Sequence, residues 1–378
     1  MSNACCRVCA SSLPTTPLLR LANMPKSAQF LPEAETLHMD KGEDLDVFQC
    51  EACGLVQICN EPVPYYKEVV RAIAFSEEMR AYRRDQFAVW VKKYALRGKK
   101  VLEVGCGCGE YLSLLNAAGV DGYGIEYAPQ SVADCIAHSL HVTRDYIDKA
   151  DSTLASAPFD AFAVFNFMEH WPDPNASLRG IAHNLTEGGI GLVEVPNFDM
   201  ILKKDLFTEF ISDHLFYFTR ESLETTLRLN GFEVVEVNAI WHDYILSAVV
   251  RKRVPSDVKT FAARRVAITN EITDYIQCFG VNRVAIWGAG HQALAAIALL
   301  GLAGKVRYVV DSAPFKQNKF TPASHIPIVA PDRLVNDPVD AVIVMAASYS
   351  DEVARVIRHQ YSGVRSVAIL RDTGLERI

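Results

Sequence analysis

Val101-Leu102-Glu103-Val104-Gly105-Cys106-Gly107-Cys108-Gly109 decides the fold of this chain. A short, mostly apolar run ends abruptly on three glycines at alternate positions, which reads as a strand feeding a tight turn. Glycine lets the backbone bend sharply and lets a ligand approach the main chain. The helix expected from Glu110 to Ala118 then presents its first amides to whatever the turn holds. Strand, glycine turn and helix in that order open a parallel, doubly wound sheet.

The same alternation continues downstream. Strands are expected at Lys100–Val104, Gly122–Glu126, Ala161–Asn166 and Gly191–Val195, with helices at Gln130–Leu140 and Ala176–Leu185 between them. Phe232–Val237 and Leu246–Val250 read as an antiparallel pair closing the sheet. A helical connector over Asp257–Phe279 leads to a second α/β series: Arg283–Trp287, Val306–Asp311, Ala341–Met345 and Ser366–Leu370. The expected organisation is a small N-terminal module over 1–60, a helical linker or lid over 61–96 and a Rossmann-like core over 97–254. A connector over 255–280 and a second Rossmann-like α/β domain over 281–378 follow. A chain of 378 residues suits several such cores better than one.

Half of the residues are hydrophobic, 22% are charged, and the net charge is −7. That balance argues against nucleic acid as a partner, because phosphate contacts need a basic face. The longest apolar stretch, Ala293–Gly304, is too short to span a bilayer, and Met1–Ala10 lacks the basic start and apolar run of a leader. The expectation is a cytoplasmic protein with a small-molecule partner.

Residues 1–60 cannot bury much apolar surface, so the module needs a staple. Cys6-Arg7-Val8-Cys9 and Cys50-Glu51-Ala52-Cys53 supply it. Each pair can grip a metal from one knuckle, and four thiolates complete a tetrahedral Zn²⁺ site with no position left open. The zinc is therefore expected to be structural, with Cys5 and Cys59 as bystanders.

Three features accompany the glycine turn. Glu126 ends the second strand, where a carboxylate can accept from ribose hydroxyls. Asp145 follows the third strand position and can face an adenine amine. Phe165-Asn166-Phe167-Met168-Glu169-His170-Trp171-Pro172-Asp173-Pro174 follows the fourth. Together, Glu-x-Gly-Cys-Gly-x-Gly, the strand-end Glu and the later Glu-His-x-x-Asp-Pro resemble class I S-adenosylmethionine-dependent methyltransferases. The resemblance implies S-adenosylmethionine as cofactor, held by Glu103, Gly105, Gly107, Gly109, Glu126, Asp145 and Asn166.

The order of a four-cysteine module, this core and a second α/β domain resembles the sugar C-methyltransferase family. Asp311-Ser312-Ala313-Pro314-Phe315-Lys316-Gln317 and Thr321-Pro322-Ala323-Ser324-His325-Ile326-Pro327-Ile328 look like that family's closing signatures. The implied substrate is a nucleotide-linked 4-keto-deoxysugar, methylated at carbon through an enolate. Where that family carries Tyr-His-Glu-His, this chain reads Ile211-Ser212-Asp213-His214. His214 maps onto the candidate base and Asp213 onto its acidic neighbour, while the Tyr and first His are lost. A second acceptor class, a hydroxyl or amine on a sugar-like molecule, therefore stays open.

A carbon beside a ketone becomes nucleophilic only after losing a proton, which a histidine can take while a carboxylate orients it. His170 is a second candidate base or a cap on the cofactor pocket. Tyr65, Tyr66 and Arg71 are candidate substrate or lid contacts, beside a packing role, and Asn197 is a candidate substrate contact at the fifth strand's edge. Gly288-Ala289-Gly290-His291-Gln292-Ala293 with Asp311 fits a dinucleotide fingerprint. It keeps an NAD-binding oxidoreductase as the rival class.

Overall fold

The computed structural model describes residues 4–28, 31–68 and 76–378. It forms two compact units, Met1–Val254 and Pro255–Ile378.

The first unit begins with two turns built alike. In one, the Cys6 N–H donates to Ser11 O (2.8 Å) and the Ala10 N–H to Cys6 O (2.9 Å). In the other, the Cys50 N–H donates to Leu55 O (2.9 Å) and the Gly54 N–H to Cys50 O (2.8 Å). Ala10 (φ 61°) and Gly54 (φ 73°) take the same left-handed conformation. Between these knuckles run β1 (Leu19–Met24) and β2 (Glu43–Gln49), and β3 (Val56–Ile58) follows the second. The three strands pair antiparallel in chain order.

The core starts with α1 (Glu77–Lys93), whose Ser76 cap accepts from the Met79 N–H at 3.1 Å. Then come β4 (Lys100–Val104), α2 (Glu110–Ala117), β5 (Asp121–Glu126), α3 (Pro129–Ala137), β6 (His141–Arg144) and β7 (Phe159–Phe165). They are followed by α4 (Pro174–His183), β8 (Leu185–Pro196), α5 (Phe198–Lys203), β9 (Phe216–Tyr217), α6 (Arg220–Leu229), β10 (Phe232–Ile240) and β11 (Ile245–Lys252). The seven-stranded sheet runs β10-β11-β8-β7-β4-β5-β6, parallel from β8 to β6, with β11 and β10 antiparallel at one edge. The order reverses between β4 and β7, so their carboxyl ends open the crevice where such sheets hold ligands. The expected antiparallel pair is there, with both strands longer than its apolar run suggested.

Strand β9 does not join that sheet. It pairs with β3 (Val56 opposite Tyr217, Gln57 opposite Phe216) and completes a four-stranded sheet with the N-terminal strands. The N-terminal module therefore takes its fourth strand from the far side of the core sequence, which no local pattern announced.

One buried ion pair ties α1 to β8. Arg83 and Glu194, both fully buried, are hydrogen-bonded, and Glu194 also accepts from Gln86 Nε2 (2.5 Å) and Ser247 Oγ (2.9 Å). The guanidinium lies over the rings of Tyr111 (4.9 Å) and Phe165 (5.3 Å). Removing one partner strands a charge in the core. Glu194→Ala is expected to cost about 3–5 kcal/mol of unfolding free energy, read by chemical denaturation. A loss within experimental error would show that the pair is not what holds α1.

The second unit contains α7 (Lys259–Phe279), β12 (Val284–Trp287), α8 (His291–Leu299), β13 (Val309–Val310), β14 (Lys319–Phe320), β15 (Pro327–Val329), α9 (Arg333–Asn336), β16 (Ala341–Val344), α10 (Ser350–Gln360), β17 (Ser366–Leu370) and β18 (Leu375–Arg377). Its sheet runs β14-β15-β13-β12-β16-β17-β18, parallel except at the two edges. Strand β12 is buried along its length, as expected for a central parallel strand covered on both faces.

Candidate active site

At the crevice, Gly105 (φ 71°), Gly107 (φ 55°) and Gly109 (φ 81°) all take left-handed backbone. A Cβ on Gly109 would lie 2.4 Å from Leu140 Cδ1 and 3.0 Å from Cys135 Sγ, so the turn has no room for a side chain there. The buried Glu126 carboxylate anchors the turn: Oε2 accepts from the Gly107 N–H (2.9 Å), and Oε1 from the Tyr127 (2.8 Å) and Ala128 (2.9 Å) N–H groups. Asp145 accepts from the Tyr146 N–H at 2.7 Å.

A cleft opens beside them, lined by Gly105, Glu126, Tyr127, Asp145, Tyr146 and Phe167 among others. Two carboxylates facing aromatic walls suit a ligand with hydroxyl and amine donors on a flat ring. These acceptors fit the ribose hydroxyls and adenine amine of S-adenosylmethionine, the cofactor that the sequence resemblance implies. Glu103 is buried within β4, and Asn166 (φ 49°) follows β7 with its N–H on Glu194 O (2.9 Å).

Lys67 also lines the cleft, its ammonium over the rings of Tyr146 (4.8 Å), Tyr127 (5.4 Å) and Tyr66 (5.8 Å) and 3.3 Å from Asp148. The sequence carried no signal for it beyond its neighbours Tyr65 and Tyr66.

His170 and His214 meet edge to face, ring centroids 4.8 Å apart. His170 sits in the one-turn helix after β7, and its Nδ1–H donates to Asp213 O at 2.8 Å, which leaves Nε2 as the bare nitrogen. Burial lowers the affinity of both rings for a second proton. His214 is held well below the usual imidazole range, with His170 adding to the effect. Glu169 is fully buried beside them, and one of its carboxyl oxygens and one ring nitrogen each of His170 and His214 all lie within 4.8 Å of one another.

Asp213, expected to orient the base, spends its carboxylate elsewhere. Oδ2 accepts from the Tyr65 hydroxyl (2.8 Å) and Oδ1 from the Ala28 N–H (3.1 Å). Tyr65 is thus joined to the base loop. Tyr66 instead packs edge-on to Tyr146 at 5.9 Å, on the cofactor side. Arg71 lies outside the described residues.

Asn197, expected to contact substrate, does not have the atoms free. It caps α5 through Oδ1 (Met200 N–H, 3.4 Å) and donates Nδ2–H to Asp243 O (2.7 Å) in a buried position. Its polar groups are consumed by the local turn, a role that an Asn just before a helix often has.

The four cysteines converge as their spacing suggested. Cys6 and Cys53 sulfurs are 3.6 Å apart, Cys9 and Cys50 3.4 Å, and all four lie within 4.8 Å of one another. Tetrahedral sulfurs about 2.3 Å from zinc stand about 3.8 Å apart, so the cluster fits the ion. Burial pushes the Cys50 and Cys53 thiols up; at Cys9 burial is outweighed by hydrogen bonds with Ser11, leaving it at about 6. Metal binding releases the remaining thiol protons. Cys59 packs half-buried against the same core, and Cys5 is exposed.

In the second unit, the glycine turn after β12 does not leave its acidic residue open. Asp311 accepts from the Ala289 (2.8 Å) and Ala313 (2.9 Å) N–H groups and pairs with Lys316 (2.9 Å). The lysine ion pair and the amides hold the carboxyl below its usual range despite burial. A dinucleotide ribose would have to displace that pair.

Three family models match in chain order: a zinc-binding domain over residues 6–64, a methyltransferase domain over 79–237, and a C-methyltransferase C-terminal domain over 254–368. C-methyltransferase NovU of Streptomyces niveus is 23% identical over 92% of this chain and 90% of its own length. The ubiquinone biosynthesis O-methyltransferase of Xylella fastidiosa (strain 9a5c) is 38% identical over 26% of this chain and 42% of its own. A solved S-adenosylmethionine-dependent methyltransferase of Clostridium acetobutylicum superposes with a TM-score of 0.39 at 11% identity, covering 48% of this chain and 96% of that one.

Proposed function

We propose, from the premise that this chain is an S-adenosylmethionine-dependent methyltransferase with a zinc-binding domain and a C-methyltransferase C-terminal domain, that it methylates carbon beside the ketone of a nucleotide-linked 4-keto-deoxysugar. The supporting observation is the His170–His214 pair, half-buried and held below the usual imidazole range, at the carboxyl edge of the parallel sheet. The end-to-end likeness to a C-methyltransferase points the same way.

The bound cofactor supplies an electrophilic methyl group on a sulfonium. The chain's task is to make a carbon nucleophilic and to hold it in line. His214 is the proposed base: its unprotonated ring can take the proton next to the ketone. His170 shapes the loop that carries it, through the bond to Asp213 O. Tyr65 and Asp213 brace the other side of that loop. Glu126 is proposed to take the cofactor's ribose hydroxyls while still anchoring Gly107.

The test is a reaction in heavy water with a nucleotide-linked 4-keto-6-deoxysugar, with and without cofactor, read by mass spectrometry and NMR. Enzyme-dependent deuterium uptake beside the ketone, and a methyl on that carbon when cofactor is present, is the expected result. Methyl transfer without exchange would move the acceptor to oxygen or nitrogen. That second reading is favoured by the likeness of residues in the core to curated O-methyltransferases and by Ile211 standing where the sugar family has Tyr.

Glu126→Ala is expected to weaken cofactor binding, measured by calorimetry, by roughly 10-fold or more, since a charge-assisted hydrogen bond contributes about 1.5–3 kcal/mol. A variant that bound normally and lost only turnover would remove Glu126 from the ribose.

A further inference from the structure

Glu169 has no part in the scheme above, yet it is the most unusual side chain near the base. It is 1% exposed, in the one-turn helix after β7, and its Oε2 has no hydrogen-bond partner among the described residues. Its carboxyl lies within 4.8 Å of a ring nitrogen of both His170 and His214. Its main-chain oxygen accepts the Leu215 N–H at 2.8 Å, which locks it to the residue following the base. A buried carboxyl with an unpaired oxygen is costly unless it has a use.

We propose that Glu169 is a catalytic acid, holding a proton that it donates to the ketone oxygen while His214 removes the proton from the neighbouring carbon. This rests on the enolate reading above.

Enolate formation needs a base at carbon and a donor at oxygen together. Given ordinary C–C and C=O bond lengths, the two atoms are about 2.4 Å apart. A base and an acid separated by 4.8 Å or less can reach both at once.

The environments divide the roles as such pairs require. Burial pushes the Glu169 carboxyl up to about 8, so it keeps its proton at neutral pH. The same burial keeps His214 unprotonated. Among the described residues, the groups facing Glu169 add no competing cation: two neutral imidazoles, and Tyr244, whose hydroxyl is held by Glu209 at 2.7 Å. The nearby Asp213 carboxylate is held by Tyr65 and Ala28.

The atoms balance. The C–H bond breaks, its electron pair forms the C=C bond, His214 gains H⁺, and the carbonyl π pair moves to the oxygen, which takes the Glu169 proton. The carbon then forms its new C–C bond as the methyl–sulfur bond breaks, the C=O bond re-forms, and the oxygen returns its proton to Glu169. The net proton released leaves from His214 to solvent.

The experiment compares wild type, Glu169→Gln and Glu169→Leu. Difference infrared spectroscopy without substrate should show the carbonyl stretch of a protonated carboxylic acid at pH 7, lost as pH rises through about 8 and absent from both variants. With dTDP-4-keto-6-deoxyglucose, or its 2-deoxy analogue, Glu169→Gln should lower deuterium exchange and methyl transfer together by about 10²-fold, and Glu169→Leu by more. Cofactor affinity and thermal midpoint should hold in Glu169→Gln. Wild-type turnover should fall above about pH 8, and that limb should vanish in Glu169→Gln.

No protonated-acid band in the wild type, or unchanged exchange in Glu169→Gln, overturns the proposal. So does a second tightly held metal ion per chain that Glu169→Gln releases, because the three side chains would then be ligands. A wild type that acts on neither ketone sinks the sugar reading instead, and the substrate-free infrared result tells the two failures apart.

Discussion

His214→Asn abolishes methyl transfer and heavy-water exchange while cofactor binding stays intact. The expected loss of turnover is about 10²–10⁴-fold, the usual contribution of a positioned base. The separation follows from place. The cofactor cleft is lined by Gly105, Glu126, Tyr127 and Asp145 from the β4 and β5 ends, whereas His214 comes from the loop before β9. Asparagine keeps a polar group of similar reach but cannot take a proton near neutral pH. Because burial and His170 hold His214 well below the usual imidazole range, it is already unprotonated at pH 7. The sign of the acid limb is then fixed: wild-type turnover should not fall as pH drops from 8 to 6, and its acid limb should begin only toward the depressed value. His170→Asn is the control; it loosens the bond to Asp213 O but leaves a base in place, so it should cost less. Near-normal turnover in His214→Asn would remove it as the base, and a larger loss in His170→Asn would move that role to His170.

Stripping the zinc, or replacing Cys50 with Ser, is the second large effect. Structural zinc sites of this type contribute about 10–16 kcal/mol of apparent binding free energy at neutral pH, and that energy is folding energy for the strands it closes. The N-terminal sheet buries Leu45, Val47, Val56 and Ile58 but spans few residues. Without the metal, hydrogen-exchange protection should collapse at Val47, Val56 and Ile58. It should also collapse at Phe216 and Tyr217, whose strand partner is β3. Turnover should go with it, although Cys6, Cys9, Cys50 and Cys53 do not line the cleft, while binding of the cofactor survives. A zinc-free chain that still turned over would show that the base loop stands without the module.

Local patterns carried most of the fold. The run ending at Gly105, the apolar strands after it and the two Cys-x-x-Cys pairs each signal through residues a few positions apart, which is the range over which periodicity and turn chemistry act. What escaped depended on contacts far along the chain. Arg83 and Glu194 are 111 residues apart, and neither has a flanking pattern that marks a buried pair. Phe216–Tyr217 is too short a strand to announce a partner at Val56–Gln57. Asn197 was read by its place at a strand end, although Asn197-Phe198-Asp199-Met200 also carried the signature of a helix cap. Glu169 was visible as a letter in a motif. Its burial and its unpaired oxygen are properties of three dimensions alone.

The pairing of β3 with β9 also bears on how such a protein can be rearranged. Leu215 accepts the Ile58 N–H at 3.0 Å through its carbonyl and donates its own N–H to Glu169 O. One residue therefore stitches the metal-bearing sheet to the end of β7, one position after His214. The first sixty residues are not a detachable cassette. A chain begun at residue 61 would keep the cofactor crevice and leave the base on an unsupported strand. Grafting that module onto another core would require the stretch from Ile211 to Tyr217 to travel with it, and a single-residue insertion there would shift the register of β9 against β3 or break the bond from Leu215 to Glu169 O.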